Sequence, residues 1–169
     1  MATKWNLDPT HSEITFKVRH MMISNVKGEF TKFDAQLEAE DGDFKNAKVS
    51  ATIDTDSVNT NNTDRDNHLK GEDFFNGSAN PKITFESTGL HDEVTGNLTI
   101  NGVTKPVKLD VEFGGTNVDP WGNTKAGFSF EGKIKRSEFG LNWNTALETG
   151  GVMVSDDVKI FGELQFVKA

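Results

Sequence analysis

Charged groups are plentiful in this chain, but those whose type and spacing could do chemistry are few. They are His11, His20, His68 and His91, and the cluster Asp64, Arg65, Asp66 and His68. There is no cysteine, which removes thiolate metal sites, disulfides and cysteine nucleophiles. The histidines show no His-x-x-x-His or similar paired spacing, so the pattern predicts no metal centre. Ser12 beside His11, and Asp66 near His68, put a hydroxyl or carboxylate next to an imidazole. Neither comes with a recognised arrangement, and there is no Gly-x-Ser-x-Gly elbow. The expectation is a protein with no catalytic residues and no cofactor. The cluster at 64–68 reads first as helix capping with an ion pair. In its functional reading Arg65 or His68 faces an opening and contacts a polar head group. His20 closes a strand, either as a hydrogen-bonded histidine or as a polar anchor inside a pocket. The pairs Asp41/Asp43 and Asp156/Asp157 read as solvated turn residues.

The segment from Asp54 to Phe85 is the part that does not read as strand and turn. Thr63 can cap a short helix, with Asp66 three residues on as a capping-box partner. Asp64 and Asp66 suit the positive end of the helix dipole. Gly71 can stop the helix in the left-handed conformation. Phe74 and Phe75 follow as an apolar plug. This segment is expected to lie as a lid or connector across the end of a β structure.

Elsewhere period-two alternation dominates, the mark of a half-buried antiparallel sheet. Ile14, Phe16, Val18 and His20 share one face after the Asp8-Pro9 turn. Met21-Met22-Ile23 and Asp41-Gly42-Asp43 read as turns. Val26, Gly28 and Phe30 continue the pattern, then Ala35, Leu37 and Ala39, then Val49, Ala51 and Ile53. Ile83 and Phe85 follow, then Val94, Gly96, Leu98 and Ile100. Asn101-Gly102 is a two-residue hairpin signal. It predicts Ile100 opposite Val103, Leu98 opposite Lys105, Gly96 opposite Val107 and Val94 opposite Leu109. Gly114 to Thr124 reads as a loop. Phe128, Phe130 and Ile134 form the next strand, continued by Phe139, Leu141 and Trp143. After Val152 and Val154 a turn is expected at Asp156-Asp157, then a last strand with Ile160, Gly162, Leu164 and Phe166.

About eight strands, with no βαβ signal, predict an all-β fold: one antiparallel barrel spanning residues 1–169, with a short connector helix. The net charge of −8 makes nucleic acid and anionic membranes poor partners for the fold as a whole. No apolar run is long enough for stable membrane insertion. The opening residues have no leader-like apolar region, so the expected location is cytoplasmic.

Thirteen phenylalanines and no tyrosine point to a large dry interior. That interior is either filled or holds a ligand. Gly28, Gly96, Gly132 and Gly162 all fall on the inward parity and would leave room. The expected lining is Phe16, Val18, His20 and Phe30, then Phe85, Leu98 and Ile100, then Phe128, Phe130, Ile134, Trp143 and Leu164. A long apolar chain is the natural guest: ten buried methylenes at ~0.8 kcal/mol each give roughly micromolar binding before association costs. The alternatives are a lipid-modifying enzyme using His20 or His68, and a protein-interaction module with a filled barrel.

Several motifs in order resemble the YceI-like family. They are Asp8-Pro9-Thr10-His11-Ser12, Val26-Lys27-Gly28-Glu29-Phe30, Arg65-Asp66-x-His68-Leu69 with Asp73-Phe74-Phe75, and Pro81-Lys82-Ile83-Thr84-Phe85. Phe16-Lys17-Val18-Arg19-His20, Gly96-Asn97-Leu98-Thr99-Ile100-Asn101-Gly102-Val103-Thr104, Asp119-Pro120-Trp121-Gly122 and Arg136-Ser137-Glu138-Phe139-Gly140-Leu141 complete the set. The resemblance implies a lipocalin-like barrel whose cavity binds a polyisoprenoid or other amphiphilic lipid; the expected function is non-enzymatic binding, transport or storage of that lipid. It also implies a homodimer. It supplies no catalytic residues.

Overall fold

The computed structural model describes residues 2–20, 23–40, 43–71, 74–75, 77–89, 92–141 and 154–169. The turns expected at Met21-Met22 and Asp41-Gly42, and the side chains of Asp73, His91, Trp143 and Val152, lie outside them.

Period-two sequences give strands throughout: β1 (Ala2–Leu7), β2 (Glu13–His20), β3 (Ser24–Phe30), β4 (Phe33–Glu40), β5 (Asp43–Asp54) and β6 (Val58–Asn59). The helix α1 (Thr63–Lys70) follows, then β7 (Lys82–Thr88), β8 (Glu93–Ile100), β9 (Val103–Val118), β10 (Thr124–Lys135) and β11 (Val154–Lys168). All pairings are antiparallel. Eight strands form a ring in the order β1-β4-β5-β7-β8-β9-β10-β11, closed by β1 against β11. The expected barrel is therefore present. β2, β3 and β6 extend from β11 as a wing.

The ring and wing share β11. Its residues Phe166 to Lys168 pair with β1, and Val158 to Glu163 pair with β2. β1 and β2 thus lie end to end along one strand, and the chain must break between them. The break is a 3-10 turn, Pro9–His11. Asp8 holds it: one carboxylate oxygen accepts from the Thr10 N–H (3.1 Å) and hydroxyl (2.7 Å). The other meets His11 Nδ1 at 2.8 Å and Lys125 Nζ at 2.7 Å. Ser12 donates to the Asp8 carbonyl and accepts from Gln165 N–H. The hydroxyl considered as a nucleophile is thus tied into the corner.

The NG hairpin has the predicted register, pair for pair. Asn101 and Gly102 have φ of 54° and 73°, the twist that two-residue hairpins need. β1 is a strand that the sequence pattern leaves unassigned; it lies ahead of the Asp8-Pro9 turn and buries Trp5 and Leu7. Four expectations change. The loop expected at Gly114 to Thr124 shrinks to residues 119–123. Gly114 is instead the extra residue of a bulge, since Gly127 faces Gly115 while Phe128 faces Phe113. Arg136–Phe139 is a 3-10 turn rather than strand, and it buries Phe139 completely. Asp156 and Asp157 lie within β11 at a register shift, where Asp156 accepts from Ser137 N–H and hydroxyl. Finally, Asn62 caps α1 by accepting from Arg65 N–H, and Gly71 ends it with an extended φ of −81°. Asp66 is not free to complete a capping box because it binds Thr60.

Hydrogen bonding from Lys125 is the main force holding the Asp8 carboxyl well below the usual carboxylate range. The two side chains are only 12% and 18% exposed. A depressed carboxylate stabilises the fold fully above its unfolded pKa of ~3.9 and loses that contribution as pH falls. Asp8→Asn should therefore cost about 1–3 kcal/mol at neutral pH. Urea unfolding should show this gap closing as the solution is acidified below pH ~4; a gap that persists in acid would contradict the assignment.

Candidate functional site

Two apolar chambers adjoin, an inner one within the ring and an outer one between the ring, the wing and α1. The outer one has a volume of about 460 Å³ and the inner one about 140 Å³. Phe16, Phe30, Ile83, Ile100, Ile134 and Ile160 line both and form a collar between them. Val18, His20, Val26, Val154 and Val158 extend the outer chamber towards the ends of β2, β3 and β11, with Leu69, Phe74 and Phe75 against it. Phe85, Leu98, Leu109, Phe130 and Leu164 line the inner chamber. Its far end meets an aromatic cluster: Phe128 packs on Phe44 (5.3 Å between ring centroids), Phe113 (5.0 Å) and Phe166 (6.0 Å), and Trp5 on Phe44 (5.3 Å).

Strand parity places its residues accordingly. Phe16, Phe30, Ile100 and Ile134 are in the collar. Val18 and His20 face the outer chamber, and Phe85, Leu98, Phe128, Phe130 and Leu164 the inner one. Trp143 is outside the described residues. Ile83, Val158 and Ile160 have the same parity and complete the wall. These apolar chambers leave part of the interior unfilled.

The inward glycines do not leave the room expected of them. A Cβ on Gly28 would overlap the Phe16 ring, one on Gly96 the Phe85 ring, and one on Gly162 the Phe130 ring. On Gly132 it would lie 2.6 Å from Leu109. Phe16 faces Gly28 directly and Phe130 faces Gly162. Each ring therefore lies on its neighbour's bare backbone, along the wall instead of towards the axis. The glycines keep the centre open by flattening the rings.

The outer chamber's rim is polar and carries two arginines and one aspartate. Arg65, His68, Asp64, Asn62 and Thr60 come from α1 and the residues before it, Arg136 from the turn after β10, and His20 from β2. Arg65 donates from Nε to the Thr60 hydroxyl (2.8 Å) and from Nη2 to the Thr60 carbonyl (2.7 Å). Asp66 accepts from Thr60 N–H and hydroxyl at 2.8 and 2.6 Å. Thr60 is thus the hinge that fixes Arg65 at the rim. His68 packs edge-on to Phe74, with centroids 5.0 Å apart.

Arg136 was not readable as a site residue, because an arginine after a strand looks like surface. It is only 5% exposed. It donates to the carbonyls of Ser155 (3.0 Å), Leu141 (2.6 Å) and Val154 (3.2 Å), and lies 6.0 Å from the Phe74 centroid. Burial pushes its pKa down, against the pull of Asp156. This site can take an apolar chain inside and an anionic or hydrogen-bond-accepting group at the rim. No group of acidic or histidine side chains that could hold a metal occurs among the described residues.

A closed antiparallel barrel with an apolar interior defines the lipocalin-like class. Residues 5–166 match the YceI-like domain, and the chain belongs to that family. A UPF0312 protein of Staphylococcus epidermidis is 45% identical over 166 residues, 97% of each chain. BcnA of Burkholderia cenocepacia has a structure that superposes with a TM-score of 0.80 at 25% identity, covering 94% of this chain and 98% of its own. A polyisoprenoid-binding domain from Saccharophagus degradans has a TM-score of 0.73 at 16% identity over 98% of both chains, a likeness of fold.

The ring-on-glycine packing predicts that Gly162→Ala, which displaces Phe130, costs about 1–3 kcal/mol in urea unfolding. Gly127→Ala on the same strand pair, where nothing lies within 4 Å of the added Cβ, should change stability by less than about 0.5 kcal/mol. Equal effects would contradict the packing.

Proposed function

We propose that this protein binds a long-chain polyisoprenoid or similar amphiphilic lipid and carries or stores it without chemical change. The observation that carries this reading is the pair of adjoining apolar chambers with Arg65 and Arg136 at one rim. The outer chamber's volume falls in the range of ligand sites, ~300–1,000 Å³. An extended chain would thread the collar into the inner chamber, and its head would stay beside Arg65 and His68. The fold shared with the Saccharophagus degradans domain supports this choice of ligand. No cofactor enters the proposal. Thr60, the hydroxyl residue in the outer chamber's wall among the described residues, donates its proton to Asp66 and is engaged by Arg65. That arrangement favours binding over hydrolysis.

No helix among the described residues is long and apolar enough to cross a membrane.

Val158→Trp tests the reading, because Val158 lines the outer chamber and a large ring there fills it. Uptake of geranylgeraniol, followed by quenching of tryptophan fluorescence and by mass, should fall at least tenfold while the thermal midpoint stays within a few degrees. Undiminished uptake by a folded variant would show that the lipid binds elsewhere.

A further inference from the structure

Strand register lines up four lysines across the outer wall. Lys133 of β10 faces Lys159 of β11, Lys159 faces Lys17 of β2, and Lys17 faces Lys27 of β3. Like charges directly opposite each other destabilise a sheet. A chain of net charge −8 has thus put cations where they repel one another. Lys27, Lys133 and Lys159 are exposed, and the half-buried Lys17 lies over Phe161 with its ammonium 5.8 Å from the ring centroid. Lys135 and Arg19 extend the basic zone towards the outer chamber. Asp157, at 3.7 Å from Lys133 and 3.5 Å from Lys135, offsets part of it.

The same wall reverses sign away from that end. The next outward-facing row carries Glu131 and Glu29, and the one after it Glu112, Glu163 and Glu13. At the opposite, basic end Ile23 sits at the turn between β2 and β3, 75% exposed. It is four residues from Lys27, roughly 13 Å along an extended chain, well within the Debye length of ~30 Å at 0.01 M salt. The outer chamber's His20, Val26 and Val154 lie at this same end.

We infer that the lysine row docks the protein, chamber end first, on an anionic lipid bilayer. Ile23 enters the head-group layer while the lysines meet the lipid phosphates. The glutamate rows are repelled and keep the far end in water. An acidic protein would match the lysines but would not account for a bare isoleucine beside a chamber suited to lipid. The docking is peripheral and reversible, and it qualifies the expectation drawn from net charge, which describes the whole molecule and not this wall. Its purpose, exchange of a lipid with the bilayer, rests on the proposed lipid-binding function. Its test does not use the chamber.

Co-sedimentation with vesicles of one-third phosphatidylglycerol in phosphatidylcholine, compared with phosphatidylcholine alone, provides that test. The protein should bind the anionic vesicles at roughly 0.01 M salt and be released near 1 M. Each lysine near an anionic surface is worth about fivefold in partitioning. Lys27→Gln/Lys159→Gln should therefore bind roughly 25-fold more weakly. Lys4→Gln/Lys48→Gln, with the same net charge but far from this row, should bind like the wild type. The row variant should also unfold at the wild-type temperature or above, since it removes like-charge pairs. No binding at low salt, as expected if the row served an acidic protein, would overturn the inference. So would equal losses in the two double variants. Vesicle binding by a protein that takes up no geranylgeraniol would support docking and count against the lipid-binding function. Uptake without vesicle binding would overturn docking alone.

Discussion

β11 is the strand on which the architecture depends. It bonds to β10 along one side and to β2 and then β1 along the other. Closing the ring through β1 leaves the sheet no free edge there, so the inward face of every ring strand confronts the others across a tube. Such a tube must be filled by side chains or stay hollow. In this one, bulky inward residues are paired with glycine on the next strand, Phe130 with Gly162 and Leu109 with Gly132, and the wing repeats the device with Phe16 and Gly28. The rings and branches fold down on bare backbone, and the wall is thick and smooth around a remaining space. Aromatic residues alone would fill the barrel, and glycines alone would weaken its strands. The pairing makes a chamber lined by rigid hydrocarbon.

Polar groups gather where this regular tube is interrupted. Between β1 and β2 the chain leaves β11, and the Asp8 carboxylate holds Thr10, His11 and Lys125 across the gap. After β10 the chain turns, and Arg136 gathers the carbonyls of Leu141, Val154 and Ser155. A buried guanidinium is expensive to desolvate, but its rigid fork serves several acceptors at once. Together with Arg65, fixed through Thr60 and Asp66, it puts positive charge beside the outer chamber. The molecule is therefore apolar within, cationic at one end and closed by aromatic packing at the other.

Sequence makes parts of this legible for clear reasons. The NG hairpin could be read pair by pair because its turn sets the register of the strands it joins. Parity along β2, β8 and β10 identified the wall because an exposed strand face selects charged residues. The parity of a glycine said nothing of which ring covers it, since that depends on register between strands far apart in sequence. For the same reason Lys17, Lys27, Lys133 and Lys159 each look like an ordinary exposed residue until the strands are aligned. The glycines at 114 and 115 imitate a loop but make a bulge. Asp156 and Asp157 imitate a turn but belong to a strand, because Ser137 supplies Asp156 with the partners that a turn would have provided.

The hollow interior is proposed to hold a foreign chain. Native mass spectrometry of protein purified without detergent measures this most directly. One lipid-sized excess mass per chain is expected, released on denaturation and absent from Val158→Trp. A wild-type protein that flies at its bare mass, and stays there after incubation with a polyprenol, would contradict it.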